Sequence, residues 1–126
     1  MPDPEEIWGD GPVTVTFTFR PGEHHEEVDR LLLEMARGTH GEQGCRSYAV
    51  YRPTHDPDMR MIVEIFDSVA SYEKHCESGT MRKVLEELLE RIDTEQPKTG
   101  SAGYPPGLSV WECELLTAGL GDKGIL

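Results

Sequence analysis

RMIVEIFDSVASYEKHCESGTMRKVLEELLERI, residues 60–92, decides how the chain folds. It opens as a strand running from Met59 to Phe66. Met59, Met61, Val63 and Ile65 face one side, and Ile62, Glu64 and Phe66 face the other. Because both sides are mostly apolar, the strand is expected in the middle of a sheet and covered on both faces. Asp67-Ser68 offers an N-cap for a short helix beginning near Val69. Gly79 divides this helix from a second, where Met81, Val84, Leu85, Leu88, Leu89 and Ile92 recur at helical spacing. Glu64 near the end of the strand, and Tyr72, His75 and Cys76 on the short helix, all fall near a change in chain direction.

Working outward, Val13, Val15, Phe17 and Phe19 alternate with Thr14, Thr16, Thr18 and Arg20 in a first strand that Pro21-Gly22 ends. A helix is expected from about Glu23 to Arg37, with Val28, Leu31, Leu32, Met35 and Ala36 as its apolar stripe and Gly38 as its stop. Cys45 to Arg52 reads as a strand, entered through the Gly41–Gly44 turn and followed by the loop Pro53 to Asp58. Thr94 to Gly107 is a long loop rich in Pro and Gly, and Ser109 to Leu116 is the last strand. The order β-α-β-β-α-α-β is that of a ferredoxin-like α+β fold with its second helix broken in two. One domain is expected over residues 13–116. A flexible acidic lead-in would occupy residues 1–12, in which Trp8 is the residue that calls for a packing partner, and a loose tail residues 117–126.

With 126 residues and a net charge of −12, the chain suits neither nucleic acid nor an anionic membrane. It has no apolar run long enough to span a bilayer and no basic, apolar leader, so a soluble cytoplasmic protein is expected. Its three cysteines, Cys45, Cys76 and Cys113, form no CxxC pair, which speaks against a disulfide framework and a zinc site. His24 and Glu27, one turn apart, make at most a weak metal pair, and no metal is expected. His40 and His55 read as loop residues without evident partners. Arg46, Arg52 and Arg60 are the strand cations, suited to a carboxylate ligand or to cross-strand acids.

The phrase GCRSYAVYR…MRMIVEIFDSVASYEKHCESGTM resembles the antibiotic-biosynthesis monooxygenase family of dimeric α+β barrels. The resemblance rests on Gly44-Cys45, Tyr48, Asp56-Pro57, Glu64-Ile65-Phe66, His75 and Ser78-Gly79, in that order. It implies a homodimer in which two four-stranded sheets pack into a barrel. For the better-known members it implies oxidation of phenolic anthrones or quinols by molecular oxygen without metal or flavin. This chain has Phe66 where the oxygenase members place Trp, and it contains no Asn, which argues against haem degradation. Tyr72 stands six residues after that aromatic, as in the anthrone oxygenases.

The candidate catalytic set is His75 as base, Glu64 as its orienter and Tyr72 as donor to a substrate oxygen. Phe66, Trp111, Ile62 and Tyr48 are the candidate substrate contacts, around a small hydrophobic cleft between sheet and helices. The expected activity is cofactor-independent oxidation of a hydrophobic, phenolic, polyketide-type metabolite. A cyclase or isomerase using the same pair, and a dimer module that only binds a small molecule, remain open beside it. The Glu64–His75 pair also reads as a structural bridge pinning helix to strand. Cys76 reads as a buried, inert thiol.

Overall fold

The computed structural model describes residues 11–114 and Leu116. Its elements are β1 (Val13–Phe19), α1 (His25–His40, entered through a single 3-10 turn at Gly22–His24), β2 (Cys45–Tyr51), β3 (Arg60–Phe66), α2 (Val69–Glu77), α3 (Gly79–Leu89) and β4 (Ser109–Cys113). The strands form one antiparallel sheet in the order β2-β3-β1-β4, with the helices on one side. This is the expected ferredoxin-like α+β fold, and β3 is central as its apolar composition requires. Trp8, Leu115 and the tail from residue 117 lie outside the described residues.

Register sorts the side chains. Phe17 pairs with Ile62 and Val110, and Thr16 with Val63 and Trp111. One face therefore carries Val13, Val15, Phe17, Phe19, Ile62, Phe66 and Val110. It packs on Val28, Leu31, Leu32 and Met35 of α1 and on Val84 and Leu88 of α3. Each such aliphatic side chain contributes about 1.5–3 kcal/mol when fully removed from water. The opposite face carries the threonines of β1 together with Met61, Val63, Ile65 and Trp111.

Two expectations need correcting. Helix α1 does not stop at Gly38 but continues to His40. Gly38 is instead a packing position: a Cβ there would lie 2.8 Å from Thr80 Cγ2, so α1 and α3 approach more closely than a larger residue permits. His40 belongs to the last turn of α1 and has a partner, since its Nε2 lies 2.9 Å from the Tyr48 carbonyl oxygen, which accepts.

The long loop follows the open edge of β4. The Ser101 N–H donates to Val110 O at 2.7 Å, and Gly100 bridges Val110. A sheet edge that would otherwise offer unpaired backbone groups is thereby covered. The loop then turns Tyr104 onto Phe17, edge to face, with ring centroids 6.5 Å apart.

Candidate functional site

Glu64 is an inward-facing residue of the central strand. Its neighbours in register are Val15 and Tyr48, both buried. Removing a carboxylate from water to such a place disfavours its charged form. Burial first, and then the charge of Glu42, push the Glu64 carboxyl up to about 8. It is therefore largely a neutral acid at neutral pH.

His75 comes from α2, whose first turn is fixed by Ser68. The Ser68 hydroxyl accepts from Ser71 N at 3.2 Å. The imidazole packs on Phe66, with ring centroids 5.0 Å apart. Its two nitrogens face two carboxyl groups. Nδ1 is 2.9 Å from Glu42 Oε1, and Nε2 is 3.7 Å from Glu64 Oε2. The first is a hydrogen bond, the imidazole N–H donating to a carboxylate; the second is too long to be one. The orienting partner expected from the sequence, Glu64, is thus the more distant of the two.

Glu42 was not among the residues expected here. It lies in the α1–β2 turn and is brought over α2 by Gly44. That glycine has φ +90°, and a Cβ on it would sit 2.1 Å from Ser71 Oγ. The Asp67 N–H donates to Gly44 O at 2.8 Å and ties the turn to the start of α2.

Tyr72, one turn before His75, packs on Phe66 with centroids 5.7 Å apart. Its hydroxyl shares hydrogen bonds with Cys76 and with Tyr104 of the long loop. The Tyr104 hydroxyl in turn donates to Glu112 Oε1 at 2.6 Å. Burial raises the Tyr72 phenol well above its ordinary value, so it remains a donor. Burial also pushes the Cys76 thiol up to about 11, which leaves it neutral and a poor nucleophile.

Glu64 and His75 form the polar corner of a cavity whose other walls include Phe17 of β1, Ile62 of β3, Leu32 of α1 and Met81 of α3. Its volume is about 30 Å³. That is room for one or two waters, not for an aromatic ring. The small hydrophobic cleft expected between sheet and helices is there, but it is too narrow for the expected substrate.

The sequence pattern of the family described as antibiotic biosynthesis monooxygenase matches residues 12–87, the span that carries β1 to α3. The chain belongs to that family. Solved structures agree in fold. A Mycobacterium tuberculosis protein is 22% identical, with a TM-score of 0.67 over 82% of this chain and 93% of its own. A structure described as an antibiotic biosynthesis monooxygenase is 17% identical, with a TM-score of 0.65 over 81% of this chain and 95% of its own. A Pseudomonas aeruginosa protein is also 17% identical, with a TM-score of 0.65 over 82% and 92%. No curated protein matches the chain in sequence.

Within this family member the candidate residues fall into three places. Ile62, Tyr48, Glu64 and His75 line the cavity. Phe66 and Tyr72 pack on or beside the imidazole rather than on the cavity. Trp111 lies on the opposite face of the sheet, 38% exposed, beside Thr16, Thr18 and Met61. It is not a wall of the cavity, because its register with Thr16 turns it outward.

Larger depressions lie elsewhere, one of about 510 Å³ between α1 and β2 and one of about 750 Å³ at the start of α1. Their buried cation, Arg60, is committed to Asp29, at 2.6 and 3.1 Å, and to the carbonyls of Pro57 and Met59. Arg46 and Arg52 are exposed. Glu27 takes Arg91 at 2.6 Å instead of pairing with His24, which lies 3.6 Å from Glu23. Among the described residues no helix is long and apolar enough to cross a membrane.

Proposed function

We propose that the protein is a cofactor-independent monooxygenase of small phenolic metabolites, with its chemistry at the Glu64–His75 corner. The observation that carries this reading is the convergence of two fully buried, complementary acid–base groups on one apolar cavity. The imidazole would remove a proton from an activated CH₂ of the substrate. Glu64, held neutral, would donate a hydrogen bond to the adjacent substrate oxygen as charge develops there. Tyr72, whose hydroxyl is held by Cys76 and Tyr104, would brace the imidazole from the helix side rather than meet the substrate. The resulting carbanion combines with molecular oxygen and a proton to give a hydroperoxide, which loses water to leave a carbonyl. The sum is CH₂ + O₂ → C=O + H₂O, and the proton taken in the first step is returned in the second.

We place this chemistry in a homodimer in the reducing cytoplasm, where Cys45, Cys76 and Cys113 stay free thiols. The two copies would pack through the outer sheet faces. Trp111 and Met61 would then be interface residues.

The small volume of the cavity favours a second reading, a module that holds a small apolar molecule without converting it. Metal-stripped protein, incubated with anthrones and quinols with and without oxygen, separates the two. Oxygen-dependent product that disappears in His75→Ala supports the monooxygenase. Product formed equally without oxygen means a cyclase or isomerase instead. A ligand retained unchanged by both proteins identifies the binding module.

A further inference from the structure

We propose that Glu42 is the positioning residue of His75 and the solvent-side end of a proton path leading out of the cavity. This rests on the reading of His75 as the base. Three carboxyl and imidazole groups stand in line, from inside outward. The Glu64 side chain is 3% exposed, that of His75 3% and that of Glu42 25%. The steps between them are 3.7 Å and 2.9 Å. The other polar groups around the ring are the phenols of Tyr48 and Tyr72 and the thiol of Cys76, with Cys45 close to both carboxylates. All are kept protonated by burial, so none competes as a base for the proton. Among the described residues, Glu42 is the partly exposed group that joins the ring to water.

The hydrogen bond to Glu42 has two consequences. It holds the proton on Nδ1 and leaves Nε2, the nitrogen toward the cavity, with its lone pair free. It also gives a proton arriving at Nε2 a way out. As Nε2 accepts a proton from substrate, or from Glu64 once the 3.7 Å gap closes to hydrogen-bond distance, the Nδ1 proton passes to Glu42 and then to water. The donor is left one proton poorer and the ring neutral in its Nε2–H form. The reverse transfer, which the later protonation of the hydroperoxide requires, restores the Nδ1–H form. No oxidant or metal takes part.

The test uses the full chain at rest, so it does not depend on finding a substrate. With ¹⁵N-histidine labelling, His75 of the wild type is expected in the Nδ1–H tautomer, and in Glu42→Ala as a mixture with Nε2–H. Exchange of the Glu64 carboxyl proton into D₂O, followed by infrared spectroscopy, should slow at least about tenfold in Glu42→Ala. It should slow likewise in Glu42→Gln, whose amide accepts from Nδ1 but cannot carry the proton away. Glu42→Gln keeps the shape of the side chain, so it carries the test even if the alanine variant does not fold. An unchanged tautomer in Glu42→Ala, or unchanged exchange in Glu42→Gln, overturns the proposal. If the tautomer and exchange respond as expected while no substrate consumes oxygen, the monooxygenase reading fails and the path stands.

Discussion

The Nδ1 of His75 lies 2.9 Å from Glu42 Oε1, while its Nε2 lies 3.7 Å from Glu64 Oε2. One buried ring thus separates a carboxyl group sealed in the core from one that reaches water. Holding Glu64 in the core weakens the fold once the group ionises. The cost of that placement shows itself in how stability depends on pH.

The Glu64 carboxyl is raised from an ordinary 4.5 to about 8 by burial and by Glu42. Between those values the folded protein binds more protons at this group than the unfolded chain does. Its contribution to stability is therefore complete below about pH 4.5, declines as pH rises through the window, and is lost above about pH 8. The carboxyls of Asp56, Asp67, Asp93 and Glu27 are held low by their partners and act with the opposite sign at lower pH. Urea unfolding at about pH 5 and about pH 8.5 should show wild type losing several kcal/mol, at about 1.4 kcal/mol per pH unit, with Glu64→Gln much flatter. Parallel profiles for the two proteins would mean that Glu64 does not carry this proton.

Gly44 sets the position of Glu42, and Gly44→Ala should loosen it. The left-handed backbone costs a side chain about 1–3 kcal/mol, and the Cβ must also displace Ser71 from 2.1 Å. The expected result is a destabilisation of at least about 2 kcal/mol together with a shift of the His75 tautomer. A variant as stable as wild type would show that the turn relaxes without moving Glu42.

Why Glu64 could be read from sequence and Glu42 could not is a matter of periodicity. Glu64 alternates with Val63 and Ile65 in a strand whose parity is visible, so its side of the sheet follows from its neighbours. His75 follows in the same way from the helix that the Ser68 cap begins. Glu42 lies in a turn, 33 residues from its partner, and its reach depends on the left-handed conformation of Gly44 and on the bond from Asp67. None of that leaves a pattern in the chain. Trp111 shows the complementary failure. Its strand is short, and a shift of one residue exchanges the faces, so only the pairing of Thr16 with Trp111 tells which way the indole points. The path of the long loop is fixed by Tyr104 meeting Phe17, Tyr72 and Glu112, contacts that its Pro and Gly content does not announce.

The outward indole leads to a prediction about assembly. Trp111, Met61 and Val63 present apolar surface on a sheet face opposite the helices. A stable dimer buries roughly 800 Å² on each partner, and we propose that this face supplies it. Sedimentation of wild type should give a dimer. Met61→Glu combined with Trp111→Glu should give a monomer with unchanged circular dichroism, since both side chains point away from the core. A monomeric wild type would remove the dimer from the proposed function.

The cavity itself supplies the last test. At about 30 Å³ it must open before an aromatic ring can reach His75. Met81 of α3 is half-buried and unbranched, and it is the wall most easily moved. If the open form is a minor population, apparent affinity is reduced by that fraction, and anything that opens the pocket in advance restores it. Met81→Ala should therefore cost about 2 kcal/mol in stability and bind a phenol-sized ligand at least about tenfold more tightly than wild type. Calorimetry measures the affinity, and the ligand should raise the melting temperature of the variant more than that of wild type. Equal affinities would place ligand binding away from this cavity. They would then direct attention from His75 to the open depressions around Arg60.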